Sequence, residues 1–183
     1  KYKYYHICSY LPSTIRRDIF KEVIKNHDFK MLERLLSISL KIQHRIIHKS
    51  VIERVYLSDC VDGLYVACIE NDCSIEFLQL LLNYEIPTGT VAGREFDVVA
   101  NTGRLDIAKW LHKNKFSFSK ISTTIAGIRG HYELFKWLVI NGAPLGDIND
   151  VISRGREDGY YQYQYLSFGV WYNVTLPFIP HKN

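Results

Sequence analysis

Apolar residues return every three to four positions over much of the chain, the spacing that gathers them on one face of a helix. After Pro12-Ser13, the residues Ile15, Ile19, Phe20, Val23 and Ile24 form such a stripe and predict an N-terminal capping helix. From Asp28 onward, Phe29, Met31, Leu32, Leu35 and Leu36 draw a second one. Leu105, Ala108 and Leu111 make another, as do Leu134, Trp137 and Leu138; Lys109 and Lys136 then point outward. The register sets Trp110 and Trp137 among the residues that pack on neighbouring helices. Residues 42–56 are helical by periodicity. Beyond Arg154 the pattern changes: 159–174 alternates and is rich in aromatic residues, which predicts strands with a hairpin turn near Ser167 to Gly169.

Several stripes belong to a repeat. Gly103-Arg104-Leu105-Asp106-Ile107-Ala108-Lys109-Trp110-Leu111 returns 27 residues later as Gly130-His131-Tyr132-Glu133-Leu134-Phe135-Lys136-Trp137-Leu138, and Asn114 returns as Asn141. Ile75 to Leu81 aligns with Leu105 to Leu111 at an offset of 30 residues, with the turn-like Ile86-Pro87-Thr88-Gly89 after it. The stripe from Asp28 is a fainter fourth unit without the glycine, and residues 42–56 match no unit. Each unit reads as two short helices joined by a tight turn. Gly103 and Gly130 stand where the first helix must end in a left-handed conformation. Asp106 and Glu133 then fall in the first turn of the second helix, at the positive end of its dipole. Asn141-Gly142-Ala143-Pro144 closes that helix with a glycine cap and a proline stop.

A chain of 183 residues, 47% apolar and 23% charged, can bury a core without disulfides or metals. The net charge of +4 is too small to imply nucleic-acid binding. The locally basic stretches 1–30 and 41–54 read as solvated helix faces. Cys8, Cys60, Cys68 and Cys73 form no CxxC pair, which argues against structural zinc and for buried thiols in a reducing compartment. His44 and His48 stand one turn apart without a third ligand, so no metal is expected. No long apolar run predicts a membrane span. No cysteine-nucleophile signature, phosphate loop or His-Glu-x-x-His pattern is present, so no catalytic residue, no cofactor and no enzymatic activity are expected. Asn173-Val174-Thr175 is a formal glycosylation triplet that matters only in a secreted protein.

Gly130-His131, Glu133, Leu138 and Asn141-Gly142-Ala143 resemble the second helix and following loop of ankyrin repeats. The unit at Gly103 keeps Gly103, Asp106 and Leu111, with Arg104 for the histidine and Lys115 for the later glycine. Ala67 to Ser74 is similar to the variant with a longer inter-helix turn. The Thr-Pro-Leu-His opening is absent and the period is shorter than usual, as in the clipped repeats of giant DNA viruses and protists. Leu11-Pro12 with Ile15, Ile19 and Phe20 faintly resembles the start of an F-box-like segment.

The resemblance implies a mainly α, ankyrin-like helical solenoid: 1–62 a helical cap and degenerate repeat, 63–147 the repeats, 148–183 a helix and aromatic β-like tail. It implies an intracellular protein-interaction scaffold or adaptor, in host cytoplasm or virion if the chain is viral. Partner contacts are then expected before the inter-helix turns, at Asn71, Asp72, Asn101, Thr102, Ile128 and Arg129, and at the fingertips Thr90, Val91, Ser117 and Phe118. The partner is a protein, with membrane and nucleic acid not expected. The tail is expected to cap the last repeat or to self-associate through Tyr161, Tyr163 and Tyr165. The alternative is a structural component of a viral particle or assembly, contacted through the aromatic tail and the basic N-terminal half.

Overall fold

The computed structural model describes residues 13–46, 63–89 and 91–145, with side chains described from 17 to 38 and throughout the other two stretches. Among these residues the chain is mainly α-helical, with eight helices and no strand. They are α1 Ser13–Lys25, α2 Phe29–Ile46, α3 Leu64–Glu70, α4 Ile75–Asn83, α5 Arg94–Thr102, α6 Leu105–Lys113, α7 Ser122–Ile128 and α8 Tyr132–Ile140. The expected hairpin at 159–174, His48, Thr90 and Tyr161, Tyr163 and Tyr165 lie outside the described residues. Contacts divide the chain into two compact units, Lys1–Thr90 and Val91–Asn183. The boundary falls inside the stretch 63–147 that the sequence reads as one run of repeats.

One device closes most of the helices. At the ends of α1, α3, α4, α6, α7 and α8 a left-handed residue follows the helix: His27, Asp72, Glu85, Lys115, Gly130 and Gly142, with φ between 53° and 84°. The next amide reaches back five residues, as in Cys73 N to Cys68 O at 2.9 Å, Phe116 N to Leu111 O at 3.1 Å and His131 N to Ala126 O at 2.9 Å. This is the Schellman arrangement, which satisfies carbonyls the helix leaves open. Asparagine precedes the left-handed residue at four of these ends. Asn71, Asn114 and Asn141 each donate a side-chain amide to the carbonyl four residues back, at 2.8, 2.8 and 2.7 Å.

In the first unit α1 packs against α2 and α3, and α3 against α4. Phe20, Ile24, Leu32 and Leu36 are buried, whereas Met31 of the expected stripe is exposed. Phe77 of α4 meets Phe29 edge-on at 5.3 Å, and the Cys73 thiol donates to the Ile24 carbonyl at 3.7 Å. In the second unit α5 packs on α6 and α7, and α8 on α7 and α6. First helices therefore face first helices and second face second. Phe96, Val99, Ala100, Ile107, Ala108, Leu111, Leu134, Phe135 and Leu138 make this core.

Trp110 and Trp137 are half-buried, not core, and so is Leu105. The helical wheel explains the correction. At roughly 100° per residue, Leu105 and Trp110 flank the mid-line through Ile107, Ala108 and Leu111 by about 110° on opposite sides. Trp110 leans on Phe116 at 5.9 Å, and Trp137 stands edge-on to His112 at 5.6 Å.

The second residue of a first helix also ties down the loop that follows the second helix. The Tyr65 hydroxyl donates to the Ile86 carbonyl at 3.3 Å, and the Thr123 hydroxyl to the Pro144 carbonyl at 2.8 Å; both bonds span 21 residues. Glu95 holds the corresponding place in α5 and is 2% exposed.

Candidate functional site

The inter-helix turns carry three of the sequence-derived pairs. Asn71 is half-buried because its amide closes α3, while Asp72 beside it is exposed at φ 55°. Asn101 and Thr102 are both exposed at the end of α5; the Thr102 hydroxyl donates to the Val99 carbonyl at 3.3 Å. Arg129 is exposed and Ile128 half-buried at the end of α7. The second unit links two of its turns directly. His131 Nε2–H donates to the Asn101 carbonyl at 3.2 Å, and the ring lies so close to Gly103 that a Cβ there would sit 2.5 Å from Nδ1. A carbonyl only accepts, so Nε2 carries the proton.

The loop between α6 and α7 is the other candidate region. Ser117 is exposed and Val91, upstream, is 56% exposed. Phe118 does not project as a fingertip contact; it is half-buried and turns inward. Its ring lies 4.6 Å from Phe96, stacks on His112 at 5.3 Å and approaches Trp137 at 6.5 Å. The reason is packing: aromatic rings gain from tilted and stacked neighbours as well as from burial.

Polar contacts hold this loop to α5. Ser119, 7% exposed, lies beside the Asp97 carboxylate and accepts from the Ile121 amide at 3.2 Å. Asp97 Oδ1 has no hydrogen-bond partner, and burial pushes the carboxyl above its ordinary range despite Ser119 and Arg94. Gly93, at φ 80°, lies against the Ser119 backbone: an added Cβ would come within 2.5 Å of the Ser119 nitrogen, so only glycine fits. Gly93, Phe96 and Asp97 share one side of α5 at helical spacing, a signal visible in the sequence once the loop is known to cross it.

No family model, curated protein or solved structure matches the chain. Its chemistry is therefore read from the residues alone. Cys68 and Cys73 are free and buried; the hydrogen bond to Cys73, then burial, push the Cys68 thiol far up, and a protonated thiol is a poor nucleophile. Asp106 is held below the carboxylate range by the bidentate Arg104, at 2.7 and 3.0 Å. Lys136 sits 4.2 Å over the Tyr132 ring and 3.2 Å from Glu133. Among the described residues no three His, Cys, Asp or Glu side chains group as a metal site, and no helix is long and apolar enough to cross a membrane.

Proposed function

We propose that this protein is a protein-binding adaptor built on ankyrin-like helix pairs, contacting its partner through the turns at Asp72, Asn101, Thr102 and Arg129 and the loop at Ser117. The observation that carries the reading is the recurrence of one backbone frame under changing side chains. Left-handed closures recur at the ends of successive helices, and the 21-residue hydrogen bond recurs in α3 and α7. Over that frame the exposed turn residues vary: acidic at Asp72, amide and hydroxyl at Asn101 and Thr102, basic at Arg129. A constant scaffold with variable exposed ends is what recognition requires, because rigid elements then present loops that are free to differ.

A test uses the full chain as bait and a triple variant, Asp72→Ala, Asn101→Ala and Arg129→Ala. A partner recovered by the parent and lost by the variant, with thermal melting unchanged, supports the reading. Partners retained in full by the variant refute the placement of the contacts, and a parent that captures nothing above an unrelated helical control refutes the adaptor role.

A further inference from the structure

Resting on the adaptor reading and sharing its loop at Ser117, we propose that the exposed lysines of α6 and its outgoing loop form a ridge that docks an acidic polypeptide segment. Residues 91–145 hold eight basic and four acidic side chains. Two of the acids are paired, Asp106 with Arg104 and Glu133 with Lys136; Glu95 is buried, and Asp97 is half-buried beside Arg94 with its Oδ1 unpartnered. Lys109, Lys113, Lys115, Lys120 and Arg129 remain, all exposed and with no carboxylate paired to them among the described residues.

Four of these five follow one another along α6 and the loop. A cation at Lys113 or Lys115 complements the C-terminal dipole of α6. That explanation does not reach Lys109, in mid-helix, or Lys120, in the loop. Lys109 and Lys113 lie one turn apart on the same face and repel each other in the free protein. Between them in sequence, His112 is exposed and lies flat on Phe118.

The spacing fits an extended peptide. Lys109 and Lys113 are about 6 Å apart along the helix axis, and alternate side chains of an extended strand are about 7 Å apart on one side. Acidic residues at every second position would meet both. A nucleic acid fits less well, because the neighbouring Phe118 and Trp137 rings are engaged with each other and offer no open stacking platform. Nor does the basic track extend upstream: residues 63–89 contain four acidic side chains and no basic one.

The test is fluorescence anisotropy of a short labelled peptide of alternating Glu and Ser titrated with the full chain. Binding that weakens with added salt, and weakens at least about tenfold in Lys109→Gln/Lys113→Gln/Lys120→Gln with melting unchanged, is expected. Lys21→Gln, at an exposed lysine of α1, should stay within about twofold of the parent. Equal affinity of the triple variant and the parent overturns the proposal, as does tighter binding of a single-stranded oligonucleotide of equal charge. Sedimentation at low salt covers the remaining occupant: self-association abolished by Glu70→Gln/Glu76→Gln would give the ridge to a second copy and overturn the peptide. A ridge that fails while the turn variants still lose a captured partner leaves the adaptor reading standing.

Discussion

One methyl group added at Gly103 probes the link between the two helix pairs of the second unit. Gly103 has φ 75°, and a Cβ there would lie 2.5 Å from Nδ1 and 2.6 Å from Cε1 of His131. The left-handed conformation costs an L-residue about 1–2 kcal/mol. The ring must also swing away and give up its 3.2 Å bond to the Asn101 carbonyl, a loss of about 0.5–1.5 kcal/mol. Gly103→Ala is therefore expected to destabilise by about 2–3 kcal/mol, a fall of about 10–20 °C in the melting temperature of a unit this size. Gly142, at φ 84° with nothing within 4 Å of an added Cβ, supplies the control, since Gly142→Ala should cost the backbone contribution alone. Urea denaturation followed by circular dichroism measures both. In a His131→Ala background Gly103→Ala should cost only what Gly142→Ala costs, a coupling of about 1 kcal/mol. Additive losses in that cycle, or equal losses at the two glycines, would refute the contact.

Burial ranks the aromatic truncations of α8: Phe135→Ala, at a site 1% exposed, should cost about 3–5 kcal/mol, and half-buried Trp137→Ala clearly less; melting curves of the two give the order. Thr123→Val removes the donor to the Pro144 carbonyl and should destabilise by about 1–2 kcal/mol, measured by urea titration. The raised Asp97 carboxyl carries a penalty that is present in full above its folded pKa and disappears as pH falls through that value to 3.8. Asp97→Asn should accordingly be no less stable than the parent at neutral pH, and the advantage should shrink on acidification; paired melts at pH values from neutral to about 4 check the sign.

The helix pairs were legible in the sequence because two glycines, Gly103 and Gly130, mark left-handed ends at a fixed offset and the stripes around them have helical spacing. The left-handed residues at His27, Asp72, Glu85 and Lys115 were not, since none is glycine and propensity alone argues against that conformation. The available signal was the asparagine that precedes His27, Asp72 and Lys115 and also Gly142, whose amide at three of those ends bonds back into the helix. Trp110 and Trp137 were misplaced because a stripe drawn through Leu105 ignores Ile107, and one position on a helix turns a ring from centre to flank. Of the expected contacts, Asp72, Asn101, Thr102, Arg129, Val91 and Ser117 are exposed. Phe118, expected at a fingertip, is half-buried instead, because a loop position says nothing of the rings beneath it. The ridge at Lys109 to Lys120 emerges only once Asp106 and Glu133 are seen to be spoken for by Arg104 and Lys136.

The hydroxyl bonds from Tyr65 to Ile86 and from Thr123 to Pro144 each begin in the first helix of a pair and finish in the loop just after its second. A genetic event that copied or deleted such a stretch whole would carry donor and acceptor together, leaving no orphaned carbonyl at either seam. Length in this protein is thus open to change by modules, while a breakpoint a few residues inside one would strand a buried polar atom and be lost with the fold.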